Sequence, residues 1–257
     1  MCLDSKLFAL GMILAITARV DSRAQTPKDE PGTALDVKAN EARTFYVDGR
    51  AGNNQVTFLS ESTLEDFTGV CNKVGGELKV DPRSVESLSG RVALKIKDMD
   101  TGIDLRNEHM ASPEWFDAEK YPEVVVEFEK ADEVKKTGAN QAELTLVAKL
   151  SMHGVTQDMR IPGTLTYLDE SAATQRRVKG DIVRLRAHFD VTLKDFGVTG
   201  PPGSDTIGLK VAETLALKVS VFGSTEPPPT GLEADEPAES SRRLPPPKRP
   251  ASQPKKE

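Results

Sequence analysis

Glu143-Leu144-Thr145-Leu146-Val147-Ala148-Lys149-Leu150-Ser151-Met152 alternates with a period of two. Leu144, Leu146, Ala148, Leu150 and Met152 share one side, and Glu143, Thr145, Val147, Lys149 and Ser151 share the other. Successive side chains of a strand point to opposite faces, so this run is a strand with one buried face and one wet face. The signal recurs on both sides of it. Upstream, Val92, Leu94 and Ile96 alternate with Arg91, Ala93, Lys95 and Lys97, and Val124, Val126 and Phe128 alternate with Val125, Glu127 and Glu129. Downstream, Val183, Leu185, Ala187, Phe189 and Val191 alternate with Arg184, Arg186, His188 and Asp190. A last long face passes through Ile207, Leu209, Val211, Leu215, Leu217, Val219 and Val221, broken at Glu213. Shorter runs near residues 45–47, 56–60, 67–72, 77–80 and 159–167 bring the total to roughly eight to ten strands.

Strands of this kind must close around their apolar face or stack as a sandwich, since a single sheet would leave that face in water. Closure also removes exposed edges. The expected fold is therefore all-β: an antiparallel barrel of about eight strands, a size that side chains can fill or that can hold one small ligand. The inward positions carry mostly Val, Leu, Ala and Ile, and aromatic residues make up only 5% of the chain. Filling a long barrel with such side chains is difficult, so a cavity is expected. A fully packed β-sandwich without a pocket is the alternative.

One stretch departs from period two. Asp104 to Met110 reads as a short helix, and Ser112-Pro113 starts a second that runs toward Tyr121-Pro122, with Ser112 as N-cap and Pro113 at the first helical position. One or two short helices would then cap a mouth of the barrel. This segment holds the chain's single tryptophan, Trp115.

The barrel domain is bounded by composition at residues 43–223. Lys6 precedes an apolar run from Leu7 to Ile16 that is too short to span a bilayer. Ser22-Arg23-Ala24 then offers a small residue at each position that a signal peptidase inspects. Residues 1–24 read as a cleavable signal peptide, which places the mature protein in the periplasm or outside the cell and leaves it without a transmembrane segment. An N-terminal amphipathic helix is the alternative. Residues 25–42 read as a linker. Residues 224–257 hold nine of the 17 prolines and almost no large apolar side chains, so they read as a disordered, solvated Pro-rich tail.

Of the two cysteines, Cys2 leaves with the signal and Cys71 remains alone, so no intramolecular disulfide is expected. Cys71 reads as a small buried hydrophobe rather than a reactive thiol. The net charge of -6 argues against nucleic acid and acidic lipid surfaces as partners. His109, His153 and His188 lie dozens of residues apart, without ligand spacing, so no metal or other cofactor is implied. No nucleophile elbow, phosphate loop or catalytic pair occurs, and no catalytic residue is assigned.

Asp100-Thr101-Gly102, Arg106-Asn107-Glu108-His109-Met110, Trp115-Phe116-Asp117-Ala118 and Tyr121-Pro122 resemble the YceI-like family in order and spacing. Leu144 to Met152 followed by His153-Gly154-Val155-Thr156 is similar to that family's strand and H-G-V-T turn, and Asp195-Phe196-Gly197-Val198 is similar to its D-F-G-V loop. The resemblance covers residues 43 to 223. It implies a lipocalin-like barrel, usually exported, that binds isoprenoids or other long-chain amphiphiles; the lack of any catalytic constellation in the sequence counts against an enzyme. The family's usual aspartate is Asn107 here, and its usual leucine is Met110.

Binding of an apolar chain needs few polar motifs, because each buried methylene contributes about 0.8 kcal/mol. Polar groups at the mouth would set orientation. The rim candidates are Arg106, His109, Trp115 and Phe116. Arg106 and His109 share one helical face, where they could meet an anionic headgroup or equally fix the helix to the barrel. The interior candidates are Val92, Leu94, Ile96, Val126, Phe128, Leu146, Leu150, Leu185 and Phe189. The expected partner is a long-chain isoprenoid, quinone-like molecule or fatty amide. A homodimer and a protein partner for the Pro-rich tail are both compatible with the sequence. Two other functions compete with the carrier: an envelope scaffold or adhesion protein acting through that tail, and an enzyme acting on a lipid.

Overall fold

The computed structural model describes residues 33–229. The signal peptide read at residues 1–24 lies outside the described residues, as do residues 25–32 of the segment read as a linker and residues 230–257 of the tail. Ten strands follow in order: β1 (Arg43–Val47), β2 (Gln55–Glu61), β3 (Asp66–Cys71), β4 (Val74–Asp81), β5 (Ser84–Lys95), β6 (Glu123–Gly138), β7 (Gln141–Met152), β8 (Val155–Leu168), β9 (Ile182–Thr192) and β10 (Thr214–Ser224). Neighbours pair antiparallel in the order β1-β4-β5-β6-β7-β8-β9-β10-β2-β3. β10 also meets β1 through Ser224 and Tyr46, which closes the sheet into a barrel. Among the described residues no helix is long and apolar enough to cross a membrane.

Register explains how ten strands make a barrel eight positions round. The end of β10 meets β1 at Ser224, while its earlier part, Ala216 to Ser220, meets β2. β1 pairs with β4, and β2 pairs with β3. β1 and β2 therefore share one position end to end, and β4 and β3 share the next. β3 rejoins the β5 side at Val70 and Asp100, whose backbones exchange two hydrogen bonds of 2.8 Å. Asn54 secures the seam: its side-chain carbonyl accepts from Phe222 N at 2.7 Å and its amide donates to the Val74 carbonyl at 3.3 Å.

The two ends of the barrel differ. At the end made by β1, β4 and the β6–β7 turn, inward side chains fill the lumen. Phe45, Leu78, Leu88, Leu165 and Val183 are fully buried, and Phe45 meets Tyr167 edge-on at 5.5 Å between centroids. The Tyr167 hydroxyl donates to Asp181 at 2.6 Å, and Arg43 Nη1 donates to the same carboxylate oxygen at 2.7 Å. Burial, and then the bond to Asp181, push the Tyr167 phenol far above its ordinary pKa, so it remains a protonated donor. Residues 35–39, part of the segment read as a linker, lie across this end. Leu35 and Ala39 are buried there, and Leu35 N donates to the Pro82 carbonyl at 2.8 Å.

At the opposite end the strands are capped by the β2–β3 tip, the 96–122 connection, the β7–β8 turn and the 193–213 connection. A helix α1 (Asp104–Ala111) forms in the second of these and a kinked turn of helix α2 (Thr206–Leu209) in the fourth. The helix predicted from Ser112 is absent. Ser112 instead ends α1, its N–H donating to the His109 carbonyl at 3.0 Å. Trp115 N and Asp117 N both return to the Ser112 carbonyl, at 3.0 and 2.9 Å. Asp117 has φ 47, a left-handed conformation that a right-handed helix cannot pass through.

The last strand is also shorter than its apolar pattern. Gly208 turns the chain at φ 92, so Ile207, Leu209 and Val211 belong to the mouth, and β10 begins only after Glu213. At its far end Ser224 still lies in β10, and Thr225 N donates to the Asp181 carbonyl at 3.0 Å. The body thus reaches beyond the predicted boundary of residue 223.

Candidate functional site

Above the packed end the barrel is hollow. The alternation that faces Val124, Val126 and Phe128 inward on β6, and Ala187 and Phe189 on β9, leaves these side chains only partly buried, in contrast to Leu144 and Val183 lower on the same sheet. They surround a cavity of about 380 Å³, within the usual range of about 300–1,000 Å³ for small-molecule sites. Below its mouth the wall is apolar on every side. Val92 and Leu94 come from β5, Leu146 and Leu150 from β7, Leu185 from β9, and Leu217, Val219 and Val221 from β10.

Of the interior residues named from sequence, Ile96 alone does not line the cavity. It sits where β5 gives way to a turn of 3-10 helix and is buried in the neighbouring core with Phe116, Met152 and Phe196. Arg106, His109, Trp115 and Phe116 all line the upper end of the cavity. Phe116 is buried, and His109 is exposed.

Arg106 is committed to other protein groups. Its guanidinium pairs with the Glu65 carboxylate on the β2–β3 tip and lies 4.2 Å from the centre of the Phe67 ring. Of the two roles left open for it, the geometry supplies the structural one: it clamps α1 to the hairpin. Asn107, the next residue, ties the start of the connection. Its amide donates to Asp100 at 2.9 Å, and its carbonyl accepts from the Thr101 N–H and hydroxyl at 2.9 and 2.8 Å. The Asn107 amide, and after it the Gly102 N–H, hold the Asp100 carboxyl below its ordinary pKa.

The other motif residues hold the end of the barrel together. His153, at φ 51, bonds through Nδ1 to the Phe196 carbonyl at 3.0 Å and meets Tyr121 edge-on. This joins the H-G-V-T turn to the D-F-G-V loop. Cys71 is fully buried, and burial pushes its thiol pKa up.

Sequence reading missed one whole wall. Val56 and Phe58 on β2 and Phe67 on β3 line the cavity, as do Met99, Ile103 and Leu105 before and within α1. The hairpin strands are short and carry no long alternation. A usable signal was present, however, in Gly69: it faces Phe58 across the pair, and a Cβ there would lie 2.0 Å from the Phe58 ring. A glycine opposite an aromatic residue in a strand marks such a close approach.

The mouth is where polar and exposed apolar groups meet. Glu65, Thr101, Thr206 and Lys210 line the cavity only here. The exposed large apolar residues among those described are Leu64, Ile103, Leu105 and Leu209, and all four sit on the segments that form this mouth. Leu64 N donates to the Leu209 carbonyl at 2.8 Å, which joins the hairpin tip to α2.

A closed antiparallel barrel, packed at one end and open through an apolar chamber at the other, defines a small-molecule-binding class of barrel. Residues 47–222 match the YceI-like domain, and the chain belongs to that family. It is 27% identical over 183 residues to a UPF0312 protein of Pseudomonas putida strain GB-1, covering 71% of this chain and 82% of that one. Among solved structures, it is similar to a polyisoprenoid binding domain from Saccharophagus degradans implicated in plant cell wall breakdown. That match has a TM-score of 0.51 and 14% identity, and covers 70% of this chain and 97% of the other. Burkholderia cenocepacia BcnA matches with a TM-score of 0.50 and 20% identity, over 66% of this chain and 95% of that one. At such identities the structural likeness is one of fold.

Proposed function

We propose that the protein is an extracytoplasmic carrier that holds the apolar chain of an amphiphile inside the barrel and leaves its polar head at the mouth. The observation that carries this reading is the apolar cavity of about 380 Å³ whose polar lining is confined to one end. An apolar chamber gains affinity from every methylene it takes out of water, about 0.8 kcal/mol each before association costs. Ile103 and Leu105, both exposed and on the cavity wall, give an apolar chain a way from the surface into the chamber, with the exposed Leu64 and Leu209 on the neighbouring segments of the mouth.

Binding rather than turnover is supported by the same distribution. The charged pair on the cavity wall, Arg106 with Glu65, is spent on joining two elements, and the wall below it is hydrocarbon. The isoprenoid class is suggested by family membership and by the polyisoprenoid binding domain of similar fold. Export is suggested by the apolar leader of residues 7–16 and the small residues before Gln25.

Trp115 is the chain's one tryptophan and lines the cavity, so its fluorescence reports occupancy. Titration with farnesol is expected to change Trp115 emission saturably at one equivalent per chain. Emission that stays flat, or drifts in proportion to farnesol without saturating, would contradict the proposal.

A further inference from the structure

We infer that the barrel is a ruler for its cargo: it encloses about 15 carbons of an apolar chain and leaves any greater length outside. This deepens the carrier reading above and rests on it. The floor of the cavity sets the limit. Leu146 and Ile161 are cross-strand partners on β7 and β8, and Leu185 and Val221 are partners on β9 and β10. All four line the cavity. One step further along β7 and β9, Leu144 and Val183, and two steps further along β8, past Gly163, Leu165, point into the lumen, are no more than 4% exposed, and do not line the cavity.

Below that layer the described residues fill the lumen. Phe45 and Tyr167 cross the lumen edge-to-face, and Tyr167 is fixed by Asp181, which Arg43 also holds. Leu35 and Ala39 cover this end from outside. A chain entering at the mouth therefore meets packed side chains anchored by a buried polar network, and not a tunnel. The capacity follows from volume. An apolar cavity of about 150 Å³ takes up one benzene ring, so about 380 Å³ takes up about 15 carbons on the same scale.

Affinity should then rise about fourfold for each methylene that enters and stop rising once the floor is reached. The test is a Trp115 fluorescence titration of the full chain with prenyl alcohols of two, three, four and eight isoprene units. Affinity is expected to rise up to about 1,000-fold from two units to three, five carbons at about fourfold each, and less than about threefold from three to eight. Ala187, which lines the wall between Leu185 and Phe189, supplies a variant that needs no cavity in the core: Ala187→Phe should bring the limit down to two units. The double variant Leu146→Ala, Ile161→Ala should move it up to four.

Wild-type affinity that climbs without a break to eight units would overturn the ruler while leaving the carrier reading intact. A limit unmoved in a folded variant would do the same. Failure of every alcohol to bind would remove the carrier reading and the ruler with it.

Discussion

At the scale of single residues, Asn107 shows what the mouth demands. Its amide has a donor and an acceptor, and both are used: the donor faces the Asp100 carboxylate, and the acceptor takes two bonds from Thr101. An aspartate at this position would set two carboxylates against each other and supply no donor. Asp100 itself has a depressed pKa in the folded protein, so its contribution to stability is present above its unfolded pKa and is lost as pH falls through the lower folded value. For Asn107→Asp the sign reverses, because repulsion is greatest when both groups are ionised. The variant is expected to melt below the wild type near neutral pH, and the gap is expected to narrow as pH falls from about 7 to about 4. Thermal melting followed by circular dichroism across that range checks it, and a gap that widens in acid would contradict this account.

At the scale of elements, legibility followed the hydrophobic period. β7 and β9 are readable residue by residue because one face is apolar along their whole length. β6 reads clearly from Val124 to Phe128, where the alternation ends, yet the strand continues to Gly138. Its register shifts between Phe128 and Lys130 and again near Glu133, which has φ 53. Each bulge puts one extra residue into the strand and moves the pattern to the other face, so the alternation is broken although the strand is not. The Ser112-Pro113 start signal failed for a different reason. Met110 and Ala111 carbonyls accept from Phe116 and Ala118, so tertiary folding of the turn back onto α1 overrides the local preference.

The β2–β3 hairpin was visible only as two short runs, and its role as a wall depends on a pairing between distant strands that no local pattern encodes. Gly69 is the point at which that wall is most sensitive. A valine there would drive the Phe58 ring out of its position, and overpacking of this kind costs about 1–3 kcal/mol. Gly69→Val is expected to lower the unfolding free energy measured in urea by an amount in that range and to weaken farnesol binding at least tenfold. A variant that loses stability but binds as tightly as wild type would mean that the hairpin is not part of the working wall.

At the scale of the whole molecule, the barrel divides its apolar residues between two tasks. Near the closed end, side chains pack on one another and hold the fold; near the mouth, the same residue types line the cavity. Sequence composition suggested a cavity, since aliphatic side chains alone fill a wide barrel poorly. It could not say which half would be hollow, because that depends on Phe45, Tyr167 and Leu35 meeting across the lumen from positions far apart in the chain. Large-to-small substitutions should separate the halves. Leu88→Ala, in the packed end and away from the cavity floor, is expected to cost about 2–5 kcal/mol in denaturant titrations and to leave binding unchanged. Leu217→Ala, on the cavity wall, has few neighbours to lose and is expected to cost less than about 1 kcal/mol while weakening binding.

The central claim is that the hollow half holds an apolar chain in the living cell. Native mass spectrometry of the protein purified from a bacterial periplasm, followed by organic extraction of the same sample, tests it most directly. The account predicts one bound amphiphile per chain, released on denaturation and recovered in the organic phase. A clean apo mass that stays unchanged after incubation with prenyl alcohols, quinones and fatty amides would contradict it.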